Sequence, residues 1–383
     1  MIKINTVADQ IQLSGIRRFD EWVSKIDGID KLTLGEPNFI TPQHIMDVTK
    51  TALDNGRTHY EASAGNPELR QATADYYNEK FELAYDAKNV LVTVGATEAI
   101  ATALKTVTTP GDYILVPVPC YPAYLPLMQL QGVKPIFMDT RTTNFRVTAE
   151  LIEKTLQENK NKAIVGFIFN YPTNPTGVSY GKIELSSIKD VLKKHDIWVM
   201  SDEIYCELTY EQPHISMANL YPEGTILIMG LSKSHAMTGW RIGFVLAEER
   251  LINAMKKVHQ YHVTTAATLS QVAALEAVKN GKQDSVPMRD AYHIRRDRLV
   301  TALEKLGYNL IKPDGAFYLF VEIPKKLKLT SVEFCQQLAL KEKVAVVPGS
   351  AFTEFGEGYF RISFAASDEQ LAKLIIALEN SKH

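Results

Sequence analysis

The stretch GLSKSHAMTGWRIGF, residues 230–244, closes the apolar run TILIM (225–229) and places Lys233 just beyond it, with Arg241 eight positions further on. A lysine delivered by the end of a buried strand sits where its charge is penalised, and a nearby positive charge acts in the same direction. Such an amine is partly neutral near neutral pH and able to attack a carbonyl. A solvated lysine in a Ser-Lys-Ser turn reads the same in isolation, so the assignment depends on the rest of the chain.

Outward from this point, short β-branched runs alternate with helical patterns: VLVTV, YILVPV, AIVGFIF, IWVM, TILIM and IGFVLA, with the amphipathic segment KIELSSIKDVLKKH (182–195) between the third and fourth. Alternation of this kind predicts an α/β fold with a largely parallel sheet covered by helices. After about residue 281 the pattern changes. A long charged helix, MRDAYHIRRDRLVTALEKLG (288–307), leads to AFYLFVEI, VAVVPG and YFRISFA, which read as a smaller α+β unit. The last helix has its own start signal, Ser367 with Gln370 in capping-box spacing.

Four further stretches carry polar residues where strands end. SDEIY (201–205) follows IWVM, so Asp202 stands where a strand delivers a carboxylate, with Tyr205 beyond it. NYPTNPTG (170–177) follows AIVGFIF and holds two X-Pro bonds, and Asn174–Pro175 is a candidate for the cis form. VTVGATEAIATAL (92–104) reads as strand, glycine turn and a helix whose first turn offers free N–H groups to an anion. YFRISFA (359–365) sets Arg361 in an apolar strand.

In this order the motifs resemble the class I aminotransferases of the aspartate aminotransferase superfamily, which are fold type I pyridoxal 5'-phosphate enzymes. The resemblance runs from LTLGEPNF (32–39) to the C-terminal helix. Through SGIRRF, SDEIYCELTY, LSKSHAMTGWRIGF and KVHQYHV the chain is most similar to the bacterial branch of N-acetyl-L,L-diaminopimelate and aromatic aminotransferases. The resemblance implies a large domain with a mostly parallel seven-stranded sheet and a smaller α+β domain. Residues 1–45 would form an N-terminal arm packing with the small domain, 46–280 the large cofactor-binding domain and 281–383 the small one. A cytoplasmic homodimer acting on amino-acid and 2-oxo-acid substrates in amino-acid metabolism is implied as well.

Residue by residue, the resemblance makes Lys233 the Schiff-base lysine, which also carries the proton removed from the substrate α-carbon. Asp202 is implied to pair with the ring nitrogen, and Tyr205 and Asn174 with the ring's phenolic oxygen. Tyr121, in PCYPAY, is implied to stack on the ring. Ala96, Thr97, Ser232 and Arg241 match the phosphate cup, and Tyr60 the tyrosine that reaches the partner subunit's phosphate. Arg361 matches the arginine that binds the substrate α-carboxylate as a bidentate pair, supported by Gly35 and Asn174. SGIRRF offers Ile16, Arg17, Arg18 and Phe19 near the expected pocket mouth. Arg17 or Arg18 could meet a second acidic group of a long donor, while Phe19 and Tyr121 could receive an aromatic one.

Composition fits these expectations. The 383 residues are 45% hydrophobic with a formal net charge of −2, which suits a large core and argues against a nucleic-acid surface. Cys120, Cys206 and Cys335 give neither a disulfide framework nor a zinc spacing, so a reducing compartment is expected and no metal. No apolar stretch suits a signal peptide or a membrane span. GxGxxG, GxxxxGK[ST] and HExxH are absent from the sequence, and the SxxK at 186–189 lies within the amphipathic helix. His235, His259 and His262 read as loop and helix-surface residues rather than ligands. One alternative stays open, a pyridoxal-phosphate C–S lyase, which would share the cofactor residues; a second, a transcriptional regulator, is disfavoured. The second would need a DNA-binding module in the roughly thirty residues before LTLGEPNF.

Overall fold

The computed structural model describes residues 2–382. Its strands are β1 (Asp30–Lys31), β2 (Val90–Thr93), β3 (Tyr113–Val118), β4 (Lys134–Asp139), β5 (Ile164–Asn170), β6 (Trp198–Asp202), β7 (Thr225–Gly230), β8 (Gly243–Leu246), β9 (Tyr318–Glu322), β10 (Val344–Ala345), β11 (Val347–Pro348) and β12 (Tyr359–Ser363). Seven of them form one sheet in the order β2-β8-β7-β6-β5-β3-β4, in which β8 runs antiparallel to both neighbours and the remaining pairs are parallel. Every residue of β7 is buried, as an unbroken apolar strand covered on both faces must be.

Strand alternation distributes this sheet between two layers of helices. Leu227 and Met229 join a core with Ile45, Leu69 and Ala273, from the helices Gln43–Asp54, Pro67–Phe81 and Thr268–Asn280. Ile226 and Ile228 face the other way, toward Ile100 and Leu104 of the helix Gly95–Val107 and Ile252 of the helix Glu249–Val263. Each strand thus feeds both cores with alternate side chains. Polar residues at its ends are left to a different task.

A second sheet, β11-β12-β9, is antiparallel, and β1 pairs in parallel with β10. Phe19, Val23 and Leu32 share one core with Leu299, Val321, Phe334 and Leu374, so the N-terminal segment packs on C-terminal elements. The helix Gln43–Asp54 runs across position 45, and Ile45 belongs to the core of the large sheet.

Three readings need correction. The strand runs picked out along the chain omit β4, an edge strand with Pro135 in it and four of its six residues outside the core, whose signal is correspondingly weak. Phe19 lies in the core against Trp22, ring centroids 5.5 Å apart, rather than at a pocket mouth. His235 and His259 are fully buried, each hydrogen-bonded; only His262 is a surface residue. Among the described residues no helix is long and apolar enough to cross a membrane.

Candidate active site

The C-terminal ends of the parallel strands, where a sheet of this topology leaves a crevice, open on a cavity of about 800 Å³. Asp202 ends β6, Asn170 ends β5, and Lys233 follows β7 by three residues, so three neighbouring strands deliver an acid, an amide and an amine to one space. Ala96 and Thr97 enter from the turn after β2, and Arg361 from β12 of the second sheet.

Asp202 is buried, and burial raises its pKa to about 6, against hydrogen bonds that hold it down. Its Oδ2 accepts from the Tyr124 hydroxyl at 2.6 Å, while Oδ1 has only a long contact of 3.4 Å from the Ile204 amide. One carboxylate oxygen therefore keeps acceptor capacity. The Lys233 amine donates to the Gly35 carbonyl. Burial lowers its pKa to about 8; Glu36 opposes this, and Arg361 and Arg241 add to it. The condition inferred for a carbonyl-reactive lysine, desolvation with neighbouring positive charge, holds here.

Arg361 is 1% exposed, and burial lowers its pKa. Its Nη1 donates to Asn174 Oδ1 at 2.9 Å and Nη2 to the Thr33 carbonyl at 2.6 Å, while Tyr318 and Phe352 flank it with ring centroids 4.3 and 4.8 Å from its Cζ. The Nε–H is buried without a partner. A guanidinium this desolvated favours an anionic partner. The hydroxyls of Tyr205 and Tyr318 lie 2.7 Å apart. A Cβ on Gly35 would come within 2.3 Å of the Tyr318 hydroxyl, so the close approach of that backbone requires glycine.

At the turn after β2, Gly95 has φ +76°, and a Cβ there would meet Arg241 Nη2 at 2.5 Å. The guanidinium thus lies over a helix N-terminus whose amides are free for an anion. Ser232 lines the same cavity.

The pattern of the family described as aminotransferase class I and II matches residues 28–378. The chain belongs to this family. It is 45% identical over 377 residues, 98% of this chain and 95% of the other, to a probable N-acetyl-LL-diaminopimelate aminotransferase of Bacillus subtilis. It is 39% identical to an aspartate aminotransferase of Pyrococcus abyssi, over 97% of this chain and 96% of the other. Among solved structures it matches the aspartate aminotransferase of Thermus thermophilus with maleate, with a TM-score of 0.93 and 31% identity over the whole of both chains.

In this aminotransferase the structure gathers Lys233, Asp202, Tyr205, Asn174, Tyr121, Ala96, Thr97, Ser232, Arg241, Gly35 and Arg361 around one cavity. Tyr60 stands apart, 86% exposed; its segment is tied down by the hydroxyls of Thr268 and Thr265, which donate to the carbonyls of His59 at 2.5 Å and Ala62 at 3.2 Å. Ile16 and Arg17 line the cavity; Arg18 does not. The Asn174–Pro175 bond is cis. Sequence reasoning gave no role to Tyr124, Tyr318, Asn170 or Glu36. Tyr124 stood in the quoted PCYPAY and Asn170 opened NYPTNPTG, but no spacing linked either to Asp202, to which Asn170 Nδ2 also donates at the carbonyl, 2.8 Å away.

Proposed function

We propose that this aminotransferase moves an amino group between an L-amino acid and a 2-oxo acid such as 2-oxoglutarate, using pyridoxal 5'-phosphate at Lys233 in a ping-pong cycle. The observation that carries the reading is one cavity presenting a partly neutral amine, a buried carboxylate and a buried guanidinium from three separate elements. The residues fit the cofactor: the spare acceptor on Asp202 suits a protonated ring nitrogen, and the Gly95 cradle under Arg241 suits a phosphate.

When bound, the cofactor supplies an aldehyde for amine exchange and a ring that stores the electron pair released at the substrate α-carbon. Asp202 would hold the ring nitrogen protonated. Lys233 would move the proton at the α-carbon, a task for which an amine titrating near the working pH is suited. Arg361, with Asn174 fixed against it, would orient the α-carboxylate, and this favours an amino acid over a simple amine. Tyr205, held by Tyr318, would donate to the ring's oxygen, and Tyr121 would cover its face.

For the donor, acidic or extended amino acids stand slightly ahead of aromatic ones. The Bacillus and Pyrococcus relatives are named for such substrates, and the Thermus structure is described with maleate, a dicarboxylate. An aromatic-amino-acid aminotransferase of Thermococcus litoralis at 37% identity keeps the aromatic donors in the test. A homodimer with Tyr60 reaching the partner's site accounts for an exposed tyrosine on a tethered segment, and grouping residues 1–45 with 281–383 as a smaller unit is supported by their shared core.

A half-reaction screen tests the reading: cofactor absorbance is followed as each amino acid is added in turn. Conversion to the amine form by glutamate, aspartate or N-acetyl-L,L-diaminopimelate, reversed by 2-oxoglutarate, is expected. If none reacts and cystathionine releases pyruvate, the C–S lyase takes its place.

A further inference from the structure

The turn that begins the helix Gly95–Val107 has no capping side chain at its first residue, Val94. Its order comes instead from one turn further on. Glu98 Oε2 accepts from the Val94 amide at 3.1 Å, and Oε1 accepts from the Thr102 hydroxyl at 2.5 Å. Both oxygens face Nδ1 of His259, at 3.2 and 3.3 Å. His259 is fully buried on the helix Glu249–Val263, and its Nε2 has no partner. The imidazole is therefore committed to Glu98 and to nothing else. Although burial alone would push the Glu98 carboxyl up, hydrogen bonds from His259, Thr102 and Val94 bring it below the ordinary range, so it is ionised.

An ionised carboxylate in the first turn of this helix is stabilised by the donors there, yet it repels an anion taken up at the same turn. Its presence needs a compensating use. Holding the Val94 amide fixes the Thr93–Val94 peptide that leads into the turn, and with it the path of the chain into Gly95 and the free amides beyond, while the imidazole fixes the carboxylate.

We propose that Glu98 and His259 are positioning residues for the phosphate-binding turn, an inference that rests on the cofactor reading above. They touch neither cofactor nor substrate in this scheme; they set the geometry of Gly95, Ala96 and Thr97.

The experiment compares affinities of the apoprotein for pyridoxal 5'-phosphate and for pyridoxal, which lacks the phosphate, in wild type, Glu98→Ala, His259→Leu and His259→Asn. Glu98→Ala and His259→Leu should weaken the phosphate ester by about tenfold or more, the loss expected when a hydrogen bond to a charged group is removed. Pyridoxal affinity should stay within about twofold, because the turn meets only the phosphate. His259→Asn returns an N–H donor close to the Nδ1 position and should restore phosphate-ester affinity to within about threefold of wild type. Equal loss of both compounds would mean a general structural role, and unchanged affinity for the ester an idle pair; either overturns the proposal, as does failure of His259→Asn to rescue. Should Glu98→Ala not fold, the two His259 variants decide the matter. Wild-type protein that takes up neither compound would instead defeat the cofactor reading, a result separable from variants that merely match wild type.

Discussion

The Tyr124 hydroxyl donates to Asp202 Oδ2 at 2.6 Å, in a wall where both side chains are buried. Burial sets the Asp202 pKa at about 6, and this bond is the largest influence holding it down. Tyr124→Phe should therefore raise it, by about one unit, the worth of a charge-assisted hydrogen bond. The acid limb of cofactor affinity against pH should move upward by that amount in the variant. Comparing the two proteins cancels the cofactor's own titration, and coincident profiles would rule the coupling out.

The same carboxyl has a consequence for stability without cofactor. A carboxyl at about 6 in the folded chain and 3.8 as its reference holds its proton more tightly when folded. Its contribution is thus fully present below 3.8 and lost as pH rises through 6, a loss on the order of 3 kcal/mol. Asp202→Asn removes the charge and keeps an oxygen for Tyr124. The apoprotein should gain about 1–2 kcal/mol at pH 8 while losing proton-abstraction rate by orders of magnitude, the exchange of stability for function seen at active sites. Urea melts at pH 5 and pH 8 check this: a gain equal at both would show that the charge is not its source.

Lys233 offers a second handle on pH. Desolvation brings the amine to about 8, with Glu36 opposing that shift. About a tenth of the amine is then neutral at pH 7. Glu36→Gln should lower the pKa further and speed covalent capture of the cofactor at pH 7 by about two- to threefold, with no gain at pH 9 where the amine is already neutral. Borohydride reduction followed by mass spectrometry measures the capture. Lys233→Ala should retain the cofactor through the phosphate turn and lose turnover entirely.

How much of this was legible can be traced to particular residues. Lys233, Asp202 and Arg361 stand out because each interrupts or ends an apolar run, and a parallel sheet sends such residues to one end. Tyr318 sits inside AFYLFVEI, where an aromatic is the ordinary expectation; its hydroxyl contact with Tyr205 spans 113 positions, and no local pattern encodes it. SGIRRF suggests a motif, but it lies in a helix, Gly15–Val23, on which Phe19 and Val23 are four apart and face the core together, so Phe19 turns away from the pocket mouth. His235 and His259 follow the same logic: a buried polar residue is visible only through its partner, Gly281 for the one and Glu98 for the other.

The arm contributes one testable side chain to substrate choice. Arg17 lines the cavity and lies close enough to Tyr121 for its charge to act on that hydroxyl, while Arg18 is not among the residues lining it. In the proposed reading, with the α-carboxylate at Arg361, Arg17 would receive a second acidic group. Arg17→Ala should raise KM for glutamate and 2-oxoglutarate by about tenfold, roughly 1.4 kcal/mol, and leave kcat/KM for phenylalanine within about twofold. Arg18→Ala should change neither. Equal effects of the two variants would point to general attraction of anions instead.

Tyr60 leads to the last prediction. It is 86% exposed and absent from the cavity of its own chain, yet its segment is fixed by Thr265 and Thr268. An anchored, solvent-facing tyrosine suits a site completed across a two-fold axis, because an isologous interface lets each subunit lend the same residue to the other. In that arrangement Tyr60→Ala damages the partner's site and Lys233→Ala its own. A hybrid of the two variants then has one site with both defects and one with neither. At limiting cofactor each variant alone should be nearly inactive, whereas mixing them after subunit exchange should restore up to about a quarter of wild-type activity, since half the dimers are hybrids and half their sites intact. Sedimentation of the active species at the dimer mass should accompany the recovery. A mixture no more active than its parts, with exchange verified by differently tagged subunits, would confine Tyr60 to its own chain.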